Sequence, residues 1–341
     1  MKILLFTDNH FCEYSSIVRQ LGEKYSVRLE NQIQSINYVE DFAIKQNCEK
    51  VICLGDFFDK PNLSDIEITA LKDIKWSNIE HYFIVGNHES SVNGLKYNST
   101  KILEKSNFHI ISEVSLIKVD NRNLVFIPYI LESDRKSLKE YLNELNITDN
   151  TSIVFSHNDI KDLQMGAFKS EEGFKVKDIE DNCSLFLNGH IHNGGKIASN
   201  GYNLGALTGQ NFGNDSFKYK YGFFILDTDT LKLEFYENPF ALNFYKIDIE
   251  KKKDIENLST LKANSVISIR CIESLLDESK KAIINNVNII ANKIVVLKDV
   301  SDSVVSIESL KVDHISKFAS FCKEKIENTE ILNQELSKIC N

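Results

Sequence analysis

Proline is scarce, with 3 residues in 341, and no Ser- or Gly-rich tract interrupts the chain. Long flexible linkers are therefore not expected. No apolar run approaches the ~20 residues that cross a bilayer, so no membrane association is expected. The first apolar run, Ile3-Leu4-Leu5-Phe6, is too short for a signal-peptide core, and Asp8 follows at once. Cytosolic residence is the default that follows. Cysteine occurs 7 times but never in CxxC spacing. That argues against a disulfide framework and against a structural zinc site; Cys12 and Cys53 read as small buried hydrophobes. A basic excess is missing too: 40 Lys and Arg stand against 49 Asp and Glu, a net charge of −9. Any nucleic acid would have to be held by a local basic surface, by bound metal ions or by a basic partner.

What is present is enough apolar material, 42% against 26% charged, to bury a sizeable core. A strand is expected at 2–7 and a helix at 32–47, where Ile33, Ile36, Val39 and Phe42 fall at helical spacing. A strand at 50–54, a helix capped by Ser64 and a strand at 81–85 follow. This alternation predicts a parallel sheet covered by helices. Next come a helix from Leu95 to about Lys105, a β-pair over 109–118 and 123–128, and a helix from Ser133 to about Leu145. Strands are expected at 152–156 and 184–188, then short antiparallel ones at 196–198, 203–208, 222–228 and 231–237. Asn238-Pro239 marks a break. Beyond it, strands at 243–249, 264–272 and 293–298 with a helix at about 276–291 make a small α/β unit, and 307–338 carries helical apolar spacing.

Five strands end in residues able to bind metal: Asp8 and His10, Asp56, Asn87 and His88, His157, and His190 with His192. The carboxyl ends of strands are where open α/β sheets carry their sites. Five of the 8 histidines sit there, whereas His81, His109 and His314 have no such setting and read as core or surface. Carboxylate, imidazole and amide without thiolate suit Mn, Fe or Zn at a hydrolytic centre. The i, i+2 pairs Asp8/His10 and His190/His192 point to one side of an extended segment, so each pair can reach one site. Asp56 stands alone and has two oxygens with which to bridge two metals; two metals ~3.5–4 Å apart clamp a phosphoryl group. The alternative is that each residue is a satisfied polar group of a loop or the core. The ordered set of five favours the metal centre.

This set, D-x-H, G-D, G-N-H-E, H and G-H-x-H, resembles the calcineurin-like metallophosphoesterases over about residues 1–240. The resemblance implies an α/β fold, a two-sheet β-sandwich flanked by helices, with two divalent metal ions at the strand ends. It implies Asp8, His10 and His192 on one metal, Asn87, His157 and His190 on the other, and Asp56 bridging. It also implies that His88 stays off the metals and protonates the leaving oxygen or stabilises the transition state. Gly55-Asp56-Phe57-Phe58-Asp59, Phe126-Ile127-Pro128-Tyr129 and Asn203-Leu204-Gly205-Ala206 look most like the SbcD-type DNA repair nucleases, and the length is similar to that of their T-even phage members.

That branch implies a Mn²⁺-dependent DNA exonuclease/endonuclease of recombination and repair. It implies work with an SbcC-type ATPase subunit, homodimerisation, and residence in the cytoplasm (the host's, for a phage-encoded chain). The corresponding division is a nuclease domain at 1–240, a small α/β DNA-capping domain at 241–300, and a C-terminal helical segment at 301–341 for docking the ATPase. The same fold also serves metal-dependent phosphatases and cyclic-nucleotide phosphodiesterases, which the module after 240 disfavours. A scaffold with a decayed site is disfavoured because all seven ligand positions and His88 are present. Three motifs depart from the branch: Phe11-Cys12 follows His10, Glu89 stands where Asp is usual, and Ala206 follows Gly205. None is an implied ligand.

Overall fold

Alternation along the strands decides the layering. In the strand Lys2–Phe6, Ile3 and Leu5 belong to one apolar cluster and Leu4 and Phe6 to another. Ile52 and Leu54 separate from Val51 and Cys53 in the same way. Successive side chains of a strand point to opposite faces, so this sheet is covered on both. A second sheet repeats the pattern: Leu124, Phe126, Ile153, Phe155 and Leu187 join the shared cluster, while Val125, Ile127, Val154 and Phe186 face away into a third. The result is two sheets packed face to face with helices outside. Helix Val27–Lys45 covers the first sheet through Leu29, Ile36 and Val39. Helices Leu138–Glu144 and Val176–Asn182 cover the second through Leu138, Tyr141 and Ile179.

The computed structural model describes residues 1–297 apart from 92–93, 120–121, 166–167 and 214. The helical segment expected at 307–338, the docking segment at 301–341 and His314 lie outside the described residues. The first sheet runs in the order Lys232–Glu237, Gly222–Asp227, Lys2–Phe6, Lys50–Cys53, Glu80–Ile84, Phe108–Ile111. Its last four strands are parallel to one another, and Gly222–Asp227 pairs antiparallel with both of its neighbours. In the second sheet, Gly201–Asn203, Leu185–Asn188, Ile153–Ser156 and Arg122–Ile127 are parallel neighbours between antiparallel edges Gly195–Ala198 and Ser115–Val119. Both sheets therefore send several strand ends to one rim. Strands Asn243–Ile249, Ser265–Ile272 and Ile289–Leu297 form a separate parallel sheet, backed by helix Leu276–Ile284. Val18, Leu242, Phe244, Val266 and Ala291 pack together where that sheet meets the rest.

Several expected elements differ. Residues 109–118 are not one strand: Phe108–Ile111 pairs with Glu80–Ile84 in the first sheet, and Ser115–Val119 pairs with Arg122–Ile127 in the second. Ser112-Glu113 is the point at which the chain crosses between sheets. The helix expected after Leu95 is a strand, Gly94–Asn98, followed by a short 3₁₀ turn, Ser99–Leu103. The helix cap expected at Ser133 is Ser137, whose partner three residues on is Glu140, completing a capping box that Ser133 cannot make with Lys136. The strand expected at 203–208 is Gly201–Asn203, parallel to Leu185–Asn188. The helix expected to reach about 291 ends at Ile284, and Asn285-Asn286 turns the chain into the strand from Ile289. Helix Val27–Lys45 begins earlier than expected, capped by the Ser26 hydroxyl. Its first turns bury Arg28, Asn31 and Gln32, polar residues that hide the helical period.

Candidate metal centre

Each element of the centre is a loop that leaves a buried strand by a sharp turn. Asp8, His10, Asp56 and His190 all adopt positive φ, at 51°, 49°, 48° and 72°. Such a conformation costs a non-glycine residue about 1–3 kcal/mol and persists only where the surroundings hold it. The surroundings here are specific. His10 N donates to the Asp56 carbonyl at 2.9 Å, Gln32 Nε2 donates to the carbonyls of Asn9 and His10 at 2.8 and 2.6 Å, and Arg28 Nη2 donates to the His10 carbonyl at 3.2 Å. Two glycines make room. A Cβ on Gly55, at φ 103°, would lie 2.2 Å from His157 Nδ1, and one on Gly86 would lie 2.1 Å from Asp56 Oδ1. Gly86 thus serves close approach.

All eight sequence-singled residues meet at this rim. Asp8 Oδ1 lies 3.9 Å from His10 Nε2 and 3.7 Å from His192 Nε2, and the two imidazole nitrogens are 2.9 Å apart. Asp8 Oδ2 is occupied by the Thr7 hydroxyl and His190 N, whereas the buried Oδ1 has no hydrogen-bond partner. The second group gathers Asn87 Oδ1, 3.3 Å from His157 Nε2 and 3.0 Å from His190 Nδ1. Asp56 stands between them. Its Oδ1 accepts from His88 N at 3.0 Å, while Oδ2 lies 3.1 Å from His157 Nε2 and 3.8 Å from His10 Nε2. One oxygen therefore faces both groups, not the two oxygens expected.

The outer nitrogens of three histidines are held by acceptors. His10 Nδ1 donates to Asp59 Oδ1 at 2.9 Å, His157 Nδ1 to the Leu54 carbonyl at 2.6 Å, and His190 Nε2 to Asp159 Oδ1 at 3.2 Å. In the neutral form of each ring this leaves the inward nitrogen with a lone pair. Convergent lone pairs, a partnerless buried carboxylate oxygen and a mixed carboxylate, imidazole and amide donor set fit two divalent cations. The electrostatics of the cluster reflect the same crowding. Burial lowers the His157 pKa, but the Asp56 carboxylate overrides it and lifts the ring to about 9. Burial and the facing His10 push His192 down to about 4. Burial opposes ionisation of Asp56, yet His157 and His10 hold it well below the usual carboxylate range.

His88 sits beside this set. Its Nδ1 donates to the Asp59 carbonyl at 3.0 Å, and its ring meets that of His10 edge-on at 4.5 Å between centroids. His81 and His109 lie elsewhere: His81 is buried against Glu40 and Trp76, and His109 pairs with Glu80. Cys12 and Cys53 are buried and free, as small core residues. Nothing in the sequence singles out Asp59 and Asp159 as positioning groups, although Asp59 lies inside Gly55-Asp56-Phe57-Phe58-Asp59.

Glu89, the departure from the expected branch, has a structural account. It is fully buried, and its carboxylate accepts from Asp56 N at 3.1 Å, Phe58 N at 3.1 Å and Gly86 N at 2.6 Å. It ties the loop of Asp56 to the loop of Asn87. Burial and the nearby Asp56 carboxylate push its pKa up to about 8, against the pull of its N–H donors. Glu89→Ala leaves three buried N–H groups without acceptors and is expected to destabilise the fold by about 3 kcal/mol or more, read from urea midpoints. A change within about 0.5 kcal/mol, the range of an ordinary surface substitution, would show that Glu89 ties nothing.

Residues 1–194 match the family model described as calcineurin-like phosphoesterase. Among solved structures, a dimetal phosphatase from Danio rerio is similar at 12% identity, covering 66% of this chain and 91% of that one, with a TM-score of 0.37. The TT1561 protein of Thermus thermophilus is similar at 11% identity over 69% of this chain and 98% of that one, TM-score 0.40. A protein of unknown function from Aquifex aeolicus shares 14% identity over 56% of this chain and 79% of its own, TM-score 0.25. No curated protein matches. Among the described residues, no helix is long and apolar enough to cross a membrane.

Proposed function

The chain belongs to the calcineurin-like phosphoesterase family, and from that premise we propose that it hydrolyses phosphodiester bonds in DNA, as the nuclease subunit of an SbcC-type ATPase complex. The coarser part follows from the family: a phosphoester hydrolase with a dinuclear divalent metal site. The observation that supports a polymer substrate is the relation of the cleft to the sheet of residues 243–297. Ser16 and Ile17 line the cleft beside His10 and His192, and also the groove against Val266, Ser268 and Lys293. A phosphomonoester needs no such second wall. Gly55-Asp56-Phe57-Phe58-Asp59 and Phe126-Ile127-Pro128-Tyr129 support the same branch; Tyr129 brings its ring within 5.7 Å of the His190 ring.

Asp8, His10 and His192 would hold one cation, Asn87, His157 and His190 the other, with Asp56 shared. The donor set suits Mn²⁺. When bound, the cations supply Lewis-acid neutralisation of the phosphoryl charge and a nucleophilic water at neutral pH. The side chains do the rest. Asp59 and Asp159 fix the tautomers of His10 and His190. His88, with Nδ1–H on the Asp59 carbonyl, presents Nε2 as the atom that passes a proton to the leaving oxygen. The net charge of −9 supports a division in which the ATPase provides much of the DNA affinity. A homodimer in the cytoplasm, with 241–300 capping DNA and 301–341 docking the ATPase, completes the proposal.

One assay tests it. Purified protein with Mn²⁺ is offered linear DNA, bis-p-nitrophenyl phosphate and a phosphomonoester in parallel. Cleavage of the DNA and the diester is expected, with little turnover of the monoester. Activity confined to the monoester would replace the nuclease by a phosphatase.

A further inference from the structure

We propose that Arg28 forms a phosphate subsite, holding the phosphate next to the scissile one on the His88 side of the centre; this rests on the nuclease reading above. The residue is 4% exposed. Its Nη2 donates to the His10 carbonyl at 3.2 Å and to Gln210 Oε1 at 2.6 Å. Its Nε has no hydrogen-bond partner. Among the described residues no carboxylate forms an ion pair with it, and Asp59 acts on it only at longer range. A buried cation without a counter-charge is expensive, because desolvation is repaid only by a close opposite charge and complete hydrogen bonding. Two neutral oxygens on one nitrogen do not supply that.

The missing charge has a route in. Arg28 lines a cleft of about 320 Å³ together with His10, His88, His192, Gln210 and Ser15. The guanidinium and the proposed proton donor thus border one space, so an anion beside the leaving group would reach Arg28. The guanidinium is held in place. Gln210 Nε2 donates to the carbonyls of Asp8, Asn9 and Thr208 at 3.3, 3.3 and 3.1 Å, which aims its Oε1 at Arg28 and fixes the plane of the donors. With both Nη2 hydrogens already donated, Nη1 is the donor left for an anion, one charge-assisted bond to a phosphate oxygen.

The competing role is structural: Arg28 could serve only to hold the His10 loop through its carbonyl. The two roles separate on substrates that differ by one phosphate. Full-length protein with Mn²⁺ is assayed on thymidine dinucleotides TpT, pTpT and TpTp, on linear DNA and on bis-p-nitrophenyl phosphate. In the wild type, one of pTpT and TpTp is expected to show a KM about tenfold below that of TpT, the worth of one charge-assisted contact. Arg28→Gln should erase that difference and raise KM on DNA about tenfold more than on bis-p-nitrophenyl phosphate, and Arg28→Lys should recover part of it. Equal KM for the three dinucleotides, or equal losses of kcat/KM on DNA and the small diester, overturns the subsite. Should Arg28→Gln not fold, Arg28→Lys is read in its place, and a dinucleotide difference left at its wild-type size overturns the assignment to Arg28. Wild-type turnover of the small diester with none of DNA or dinucleotides overturns the nuclease reading, and the subsite with it.

Discussion

Replacing His88 by alanine is expected to lower kcat on linear DNA by at least about 100-fold, with bound cations unchanged. The substitution is clean because the contact that matters to the centre is made by the backbone. His88 N donates to Asp56 Oδ1 at 3.0 Å, and alanine keeps that bond and the orientation of the shared carboxylate. What is lost is the ring, whose Nδ1 is anchored on the Asp59 carbonyl and whose side chain is 41% exposed at the cleft. A ring held this way can deliver a proton from Nε2 to a leaving alkoxide. A nitrophenolate leaves without one, so hydrolysis of bis-p-nitrophenyl phosphate should fall much less than cleavage of DNA. Equal losses on both would make His88 a stabiliser of phosphoryl charge, not a proton donor. Loss of cations, measured by elemental analysis after dialysis, would instead make it a ligand, since its ring also stands within coordinating distance of His10 and Asp56.

The convergence of eight residues was legible because a short buried strand announces itself by composition and its end is then fixed to within a residue. Ile3-Leu4-Leu5-Phe6, Val51-Ile52-Cys53 and Leu185-Phe186-Leu187 are apolar on both faces. The polar residue that follows each can only be at the rim. Which atom faces inward was not legible. His190 presents Nδ1 where His10, His157 and His192 present Nε2, and the choice is made by Asp159, a residue far from it in sequence. Arg28 was missed for a related reason. It lies at the start of a helix whose period is blurred by buried polar side chains, and two of these, Arg28 and Gln32, are buried where they hold the His10 loop. Elements outside the rim were read less well. Phe108–Ile111 and Ser115–Val119 are both half-apolar and adjacent, and local pattern carries no information about which of two stacked sheets each joins. Glu89 shows the opposite case, a residue that looked like a clue to branch and acts first as an acceptor for three backbone donors.

Asp56→Asn is expected to reduce activity on every diester by about 100- to 1,000-fold, the scale on which losing one charge-stabilising group of a centre is felt. It should also take cation binding from two equivalents to at most one. The argument is geometric. Asp56 Oδ1 is committed to His88 N, so Oδ2 alone faces His157 Nε2 at 3.1 Å and His10 Nε2 at 3.8 Å. An asparagine that keeps the bond to His88 N must put its amide nitrogen where Oδ2 was. That nitrogen has no lone pair to offer, and its hydrogens point at the imidazole nitrogens that the cations need. The shape is kept and the shared ligand is gone. Stability gives a second readout, independent of turnover. A cation at 100 times its Kd stabilises the wild type by about 2.7 kcal/mol per site, visible as a rise in unfolding temperature over chelator-treated protein. In Asp56→Asn at least half of that rise should vanish, while the chelator-treated variant still unfolds cooperatively. Two equivalents bound with wild-type affinity would show that the two groups hold their cations separately and that Asp56 joins nothing.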